Sequence, residues 1–323
     1  MGTLKALFVI TVSTSRFFFP GTPASFGTAE NAKPPAVKSL SLEIASNVAA
    51  PSGAKATVDV PQGLKTAAQL RLSVEPNLPK PVATNAPAVT VAQYWGIGRK
   101  IGGDQPKLTK QTAQSSLPEG FPDKSYAYWP PTNSKPLADD VDISGVYKFK
   151  TNYCGDAEVT LAKGQGLLDP IDITSADNEP DLTKPIVVKW KPVPNAVGYI
   201  FKAYGGTAGK SVTWTSSTKP ELADTIDYRP VSKTDLDDYI KQGVLLPPYV
   251  ITCTIPAGIF NGSSSVMLTM TAVGRDIVQT QGDTETWVVI RSTASVPLHS
   301  SAFPAPKPAE PAPANPDSGD GGQ

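Results

Sequence analysis

The stretch PIVVKWKPVPNAVGYIFKAYGG, residues 185–206, limits the choice of fold more than any other part of the chain. Apolar residues alternate with other residues on both sides of a Pro-marked turn, and the side chains of a β-strand alternate between the two faces of its sheet. With that period, Val188, Trp190, Tyr199 and Phe201 share one face. We therefore predict two strands whose aromatic side chains belong to a buried core.

Shorter alternating runs, separated by clusters of Pro, Gly and Asn, predict more strands of the same kind. These runs cover residues 38–44, 55–60, 69–75, 86–95, 143–163, 211–217, 249–256, 265–274 and 286–292. One helix is predicted at 233–242, because Ser232 can cap its first turn and Gly243 can end it. The predicted fold class is all-β, with two β-sandwich-like domains and one inserted helix.

Changes in composition along the chain predict its organisation. We expect a signal peptide at 1–29, an N-terminal β domain at 30–164 with a long aromatic loop at 96–140, a second β-sandwich at 165–296, and a disordered tail rich in Pro and Gly at 297–323. The tail has few apolar side chains to bury, which is typical of an extended segment.

The N-terminal segment has the composition of an export signal. Lys5 precedes the apolar stretch 6–12, and Gly27 to Ala29 form a small-x-small cleavage pattern. Arg16 interrupts the apolar run, so that the segment is too short for a membrane-spanning helix of about 20 residues. We therefore expect an exported protein, periplasmic or extracellular, with no transmembrane segment.

The charge balance argues against some partners. Lys and Arg number 29, as do Asp and Glu. A balanced chain offers no basic surface for nucleic acid or for an anionic membrane. The partners that we expect are a protein or a glycan of the cell surface, or a second copy of the chain.

The two cysteines, Cys154 and Cys253, suit an oxidising compartment, where they could pair. A bridge would close a loop of about 100 residues, which the chain-entropy model credits with roughly 4–5 kcal/mol. Their positions relative to Trp190 do not match the spacing of antibody-type domains. Two separate buried thiols are therefore the preferred interpretation, and a disulfide is the alternative.

The order of residues from Trp190 to Tyr199 resembles the B and C strands of fibronectin type III-like domains, and TCTIPAGIFNGSSSVMLTMTAVGRD resembles their E–F region. This resemblance covers 165–296 and implies a sandwich, although the tyrosine that such domains carry near the start of strand F is missing. The chain as a whole resembles a family of exported bacterial proteins without an assigned function, through pieces such as YWGIGRKIGGDQP and VLLPPYVITCTIPAGIF. That second resemblance implies no activity.

Residues suited to catalysis are scarce in this sequence. The single histidine, His299, lies at the predicted junction with the tail, whereas most nucleophilic and general acid–base sites use a histidine within the fold. The Gly-rich run GIGRKIGG lacks the strand–turn–helix context of a dinucleotide site. We expect a protein without a cofactor or a catalytic residue, that is, not an enzyme.

Acidic clusters leave two weaker hypotheses open. A hydrolase would need two carboxylates facing each other across a cleft, and a calcium site would need several hard oxygen ligands. The carboxylate candidates are Asp139, Asp140, Asp142, Asp169, Asp172, Asp177, Glu179 and Asp181. The calcium candidates are Asp177, Asn178, Glu179 and Asp181, without the spacing of an EF-hand. A solvated acidic hinge is the preferred interpretation.

Five aromatic residues lie in or beside the predicted loop. They are Tyr94, Trp95, Tyr126, Tyr128 and Trp129. Exposed rings could stack on a sugar or anchor a protein partner, and the alternative is a small core that holds the loop. The sequence thus favours a non-catalytic binding or adhesion protein, followed by a structural subunit of an envelope or extracellular assembly, and then by a carboxylate-based hydrolase.

Overall fold

The structure is a computed structural model that describes residues 4–18, 33–76, 89–111, 121–131, 135–175, 180–207 and 210–300. Strands dominate it, as the sequence predicts. In chain order they are β1 (Ala6–Phe17), β2 (Val37–Ser46), β3 (Ala56–Asp59), β4 (Gln69–Arg71), β5 (Ser73–Glu75), β6 (Val89–Trp95), β7 (Lys107–Gln111), β8 (Ser125–Trp129), β9 (Gly145–Thr151), β10 (Ala157–Leu161), β11 (Ile173–Ser175), β12 (Ile186–Trp190), β13 (Gly198–Thr207), β14 (Lys210–Thr215), β15 (Thr252–Ile255), β16 (Ser265–Val273), β17 (Ile277–Gln281) and β18 (Thr284–Ser300).

These strands form one large sheet and two small ones. The large sheet has eleven strands in the order β5-β8-β2-β1-β18-β16-β13-β14-β6-β7, with β17 also paired to β18. The small sheets have the orders β10-β9-β3-β4 and β11-β12-β15. The all-β, sandwich-like fold class is therefore confirmed.

Both small sheets pack against the same face of the large sheet. The ring of Phe8 on β1 lies 5.4 Å from that of Phe149 on β9, between centroids. The ring of Trp190 on β12 lies 4.9 Å from Phe201 and 5.4 Å from Tyr199, both on β13. This places the predicted aromatic residues of 185–206 in the core, and one continuous hydrophobic core extends through both sandwiches. We call the face of the large sheet that points away from this core the outer face.

The segment predicted as an export signal contributes a central strand. β1 pairs in parallel with β18 from Ala6 to Phe17 and antiparallel with β2 from Ala6 to Ser15. Its side chains Phe8, Ile10 and Val12 have no exposed surface. Cleavage after Ala29 would therefore remove a strand from the middle of the sheet, so that residues 6–17 are a structural part of the described fold. Export itself stays a prediction.

The large sheet also crosses the predicted domain boundary at 164/165. β6, from the N-terminal side of that boundary, pairs in parallel with β14 from the C-terminal side. β18, from the C-terminal side, pairs with β1. The two sandwiches therefore share one sheet, because strands from each half complete the sheet of the other.

The predicted loop at 96–140 contains two strands, β7 and β8. Its Gly-rich part is held by main-chain hydrogen bonds: Gly98 N donates to Thr254 O at 3.0 Å, and Ala257 N donates to Arg99 O at 3.2 Å. The indole Nε1 of Trp214, a buried residue, donates to Gly96 O at 2.9 Å. The run GIGRKIGG is thus a loop fixed against the three-stranded sheet.

The predicted helix is present as α2 (Lys233–Lys241), after a short helix, α1 (Pro220–Ala223), that the sequence analysis did not predict. The side chain of Ser232 accepts a hydrogen bond from Asp235 N at 3.1 Å, which is the predicted cap. Neither helix of the described residues has the length and apolar character needed to cross a bilayer. The segment that carries both helices covers part of the outer face, where it forms a second small core.

Candidate functional site

The five predicted aromatic binding residues do not form one surface. Tyr94 and Trp95 lie on β6, whereas Tyr126, Tyr128 and Trp129 lie on β8. Six strands separate β8 from β6 in the large sheet. Because neighbouring strands are about 4.8 Å apart, the two groups are on the order of 30 Å apart.

The aromatic residues on each strand also divide between the two faces. Tyr94 and Trp129 pack against the core. Tyr126 and Tyr128 are stacked on the outer face with 5.6 Å between ring centroids, and the Tyr126 hydroxyl donates to Glu43 Oε2 at 2.8 Å. Burial, followed by the charge of Glu43, raises the pKa of Tyr126. The five residues are therefore not one aromatic surface. Tyr94 and Trp129 belong to the core, Tyr126 and Tyr128 form a pair on the outer face, and Trp95 lies on the distant strand β6.

The candidate carboxylates form ion pairs or turns rather than a facing pair. Asp172 lies 2.6 Å from Lys33 Nζ and 3.2 Å from Lys191 Nζ, and these lysines hold the pKa of its carboxyl below the usual value despite partial burial. Asp140 pairs with Lys65. Asp139 lies 3.9 Å from Lys38 Nζ. Asp142 Oδ1 accepts a hydrogen bond from Ser144 N at 2.9 Å within a turn, and Asp169 is exposed.

Most of the predicted calcium site, Asp177, Asn178 and Glu179, lies outside the described residues. The fourth candidate, Asp181, accepts hydrogen bonds from the main chain and hydroxyl of Thr183 and pairs with Lys184 at 3.1 Å. These contacts lower the pKa of Asp181 to about 2. Within the described parts of the chain, no three His, Cys, Asp or Glu side chains are grouped so that they could hold a metal ion.

The two cysteines are free and buried, and they lie in or next to different small sheets. Cys154 follows β9 in the four-stranded sheet, and Cys253 lies on β15 in the three-stranded sheet. Burial raises the pKa of both thiols. In the structure the two thiols are separate, and no bridge joins them.

A cleft with several polar residues lies on the outer face, at the edge where β13, β14, β16 and β18 end or begin. Its volume is about 530 Å³. The residues that line it are Tyr204, Gly205, Gly206, Lys210, Ser211, Ser264, Ser265, Val266, Met267, Pro297 and His299. We call it the β13–β18 cleft. It brings Tyr204, His299 and several serines together from four strands, with the main chain of Lys210 close to Gly206.

The sheet register explains why Tyr204, Ser211 and Ser265 meet, because both serines pair with Gly206, two residues after Tyr204. Tyr204 is paired with Thr213 on β14 and with Met267 on β16, and Met267 is paired with Pro297 on β18. Residues paired across neighbouring strands point to the same face. A β-bulge follows at Val266, which pairs with His299.

His299 was predicted to lie at the junction with the tail, outside the folded region. Instead, β18 continues to Ser300, so that the described fold extends beyond the predicted tail boundary at 297. Tyr204 could not be predicted as a site residue, because β16 and β18, which complete the cleft around it, are distant from β13 in the chain. The one local signal was the alternation of β13, which puts Tyr204 on the face opposite Phe201.

Glycine at position 206 is required by the close approach of β13 and β14. A Cβ atom there would collide with the carbonyl oxygen of Lys210. At the neighbouring Gly205, a Cβ atom would lie 2.8 Å from the ring of Phe260 and 3.0 Å from Ser265 O. Glycine at both positions therefore lets β13 lie close to β14 and to the segment that leads into β16.

Charged groups lie beside Tyr204, around Lys202 on β13. Lys202 is buried and its Nζ lies 2.7 Å from Asp227 Oδ2, whose other oxygen is 3.4 Å from the Thr271 hydroxyl. Burial raises the pKa of Tyr204, and the nearby carboxylates of Asp224 and Asp227 raise it further. Burial also raises the pKa of Asp224. Both carboxylates therefore lie on one side of Tyr204, near Lys202.

Comparison with known proteins adds no relative. No family model, no curated protein and no solved structure matches this chain. The resemblance to fibronectin type III-like domains and to exported bacterial proteins therefore stays a prediction from the sequence.

Proposed function

We propose that this protein is a non-catalytic binding protein whose ligand occupies the β13–β18 cleft. The observation that carries the proposal is the convergence of Tyr204, Ser211 and His299, from three strands, on one open cleft. Concave sites with an apolar or aromatic wall and a few polar groups are typical of ligand binding. We therefore propose this cleft as the binding site, rather than the five aromatic residues first predicted.

Two further parts of the sequence prediction are carried forward as proposals. The packing of β11, β12 and β15 against β18, β16, β13 and β14 supports a fibronectin type III-like C-terminal sandwich. Export from the cell rests on the composition of the N-terminal segment, and the burial of β1 opposes its removal by cleavage. Mass measurement of the N-terminus of the native protein would separate these two roles of the segment.

The binding proposal is tested by a ligand-observed screen of a mixed library of sugars, amino acids and nucleotides. We expect hits that bind the wild-type protein and lose binding in Tyr204→Ala. Tyr249→Ala is the matched control, because Tyr249 is 79% exposed and lies outside the cleft. A screen whose hits all bind Tyr204→Ala as well as the wild type, or a screen without hits, would contradict the proposal.

A structural subunit of an assembly is the second candidate, favoured by the edge strand β7. Among the described strands, β7 pairs only with β6, and Leu108 on β7 is 65% exposed. Unpaired edges can add a strand from a second copy. Light scattering should then show polymers that grow with concentration and disappear in Leu108→Lys.

No observation among the described residues supports the carboxylate-based hydrolase.

A further inference from the structure

We infer that the free edge of β7 binds an extended peptide segment with acidic side chains, which adds to the large sheet as a further strand. This inference goes beyond the proposed ligand of the β13–β18 cleft and does not depend on it. It concerns the same edge as the second candidate function, and it names an acidic partner as the occupant instead of a second copy of this chain. The direction of the main-chain groups, the exposed side chains and the charge of the edge support it.

The main-chain groups of β6 show which side of β7 is free. Trp95 N donates to Gln105 Oε1 at 2.8 Å, and Gln105 Nε2 donates to Trp95 O at 3.0 Å, on the side where β7 lies. Gly96 N points the other way and donates to Thr215 O on β14 at 2.9 Å. Because main-chain groups alternate in direction along a strand, positions 93, 91 and 89 of β6 also direct their main chains toward β7.

The register then identifies the free main-chain groups of β7. Positions 93 and 91 of β6 pair with Lys107 and Thr109. These two residues therefore exchange their main-chain hydrogen bonds with β6, whereas the N–H and C=O groups of Leu108 and Lys110 point away from it. None of the described strands lies on that side of β7. An added strand would be held there by the main-chain groups of Leu108 and Lys110.

The side chains of β7 are open to such a strand. Leu108 is 65% exposed, and Lys107 and Lys110 are exposed as well. Lys107 lies on the outer face, in register with Tyr204 across β14 and β6, and Leu108 and Lys110 lie on the opposite face. A partner strand would cover Leu108 with an apolar side chain and would bring one side chain opposite each lysine.

The charge of this edge selects the partner. Two exposed basic residues, Arg99 and Lys100, precede β7 and add to the charge of its two lysines. None of these four side chains forms an ion pair with a residue that the structure describes. Asp104 is the one acidic residue of the sequence 96–111. Opposite charges on neighbouring strands are favourable and like charges are unfavourable, so the edge favours an acidic strand over the β7 of a second copy.

The order of side chains along β7 defines the probes. Glutamate should face Lys107 and Lys110, and valine should face Leu108. The probe peptides therefore contain glutamate, threonine, valine and glutamate, in this order for antiparallel addition and in the reverse order for parallel addition. Each probe has a twin in which glutamine replaces both glutamates. Binding of these peptides to the full-length protein is measured by ligand-observed NMR.

The first comparison tests the charge of the partner. We expect the glutamate peptides to bind, and the glutamine twins to bind at least about fivefold more weakly. The variant Lys107→Glu/Lys110→Glu should lose the glutamate peptides. The matched control is Lys55→Glu/Lys189→Glu, which has the same net charge and changes two exposed lysines outside β7. This control should bind like the wild type.

The second comparison tests the main-chain contact. Leu108→Pro removes an N–H group that points away from the sheet, and edge strands tolerate proline at such positions. The variant should therefore unfold in urea near the midpoint of the wild type and lose the peptides. Leu108→Ala keeps the N–H group and is the control, which should retain more binding than Leu108→Pro. If Leu108→Pro does not fold, the charge-reversed variant alone decides.

Each other outcome overturns the acidic partner. This holds for equal binding of the glutamate and glutamine peptides, for a preference that survives Lys107→Glu/Lys110→Glu, and for the absence of peptide binding. Polymers of the wild type that exclude the peptides would assign the edge to a second copy. Tyr204→Ala should bind the peptides like the wild type, and loss of binding in that variant would overturn β7 as the site. Failure at β7 leaves the proposed ligand of the cleft untouched.

Discussion

Nη1 of Arg291 lies 2.8 Å from Oδ1 of Asp276, and the two side chains are 3% and 0% exposed. The guanidinium also donates from Nε to Ile226 O at 2.7 Å and from Nη2 to Arg229 O at 2.8 Å. Asp276 accepts from Val231 N and Ile290 N, both at 2.8 Å. This buried pair ties the segment between α1 and α2 to strand β18 on the outer face.

Removing the cation of this pair should strongly destabilise the fold. In Arg291→Met, the Asp276 carboxylate stays buried without its partner, and breaking such a pair costs about 3–5 kcal/mol. The measurement is the free energy of unfolding in urea. Arg291→Met/Asp276→Leu is the control variant, because an apolar pair of similar volume should recover most of the loss. A single variant within about 0.5 kcal/mol of the wild type would show that the pair is not needed.

The same pair predicts a pH dependence with a definite sign. Burial raises the pKa of the Asp276 carboxyl above its ordinary value of 3.8, against the opposing effect of Arg291. A carboxyl with a raised pKa binds a proton more tightly in the folded state, so its contribution to stability is lost as the pH rises through that pKa. Without Arg291 the pKa should rise further. Urea unfolding from about pH 4 to about pH 7 should therefore show Arg291→Met losing stability relative to the double variant. Parallel pH curves for these two variants would contradict the assignment.

Strand β1 should be necessary for folding. Phe8→Ala removes a ring that has no exposed surface and packs on Phe149, and such truncations cost about 3–5 kcal/mol. Leu108→Ala, at an exposed residue of β7, is the control and should change stability by less than about 0.5 kcal/mol. A chain that begins at Glu30 should show no cooperative unfolding by circular dichroism. A stable, cooperative Glu30–Gln323 fragment would mean that β1 is dispensable.

The cysteines should react only on unfolding. Cys154 and Cys253 are 0% and 2% exposed and unpaired, and burial raises the pKa of both thiols. We expect almost no reaction with a thiol reagent in buffer at neutral pH and two equivalents in denaturant, without reductant. The denatured Cys154→Ala variant, which should give one equivalent, calibrates the count. Fewer than two equivalents from the denatured wild type would indicate a bridge that the structure does not contain.

Local patterns predicted most of the strands and the capped helix. The runs at 38–44 and 265–274 became β2 and β16, and Ser232 caps α2 as predicted. These features depend on side-chain alternation and on hydrogen bonds within one turn, which neighbouring residues decide. The same local view predicted a signal peptide at 1–29, where the structure has strand β1, because an apolar run has the same composition in a signal peptide and in a buried strand.

The candidate site could not be predicted in the same way. Tyr126 and Trp129 are close in sequence, yet β8 directs one to the outer face and the other to the core. Tyr204 and His299 are 95 positions apart, and only the pairing of β13 with β16 and of β16 with β18 brings them to one cleft. The order of the strands depends on how the apolar face of the large sheet is buried under both small sheets.

Local sequence patterns are enough to specify strands with one apolar face, the start of the helix, and the aromatic residues of 185–206 that are in the core. These properties follow from alternation and capping over a few residues. Tertiary contacts set the strand order, the central place of β1, the sharing of one sheet by two sandwiches and the position of the cleft. Those depend on contacts between residues far apart in the chain, whose pairing no local pattern specifies.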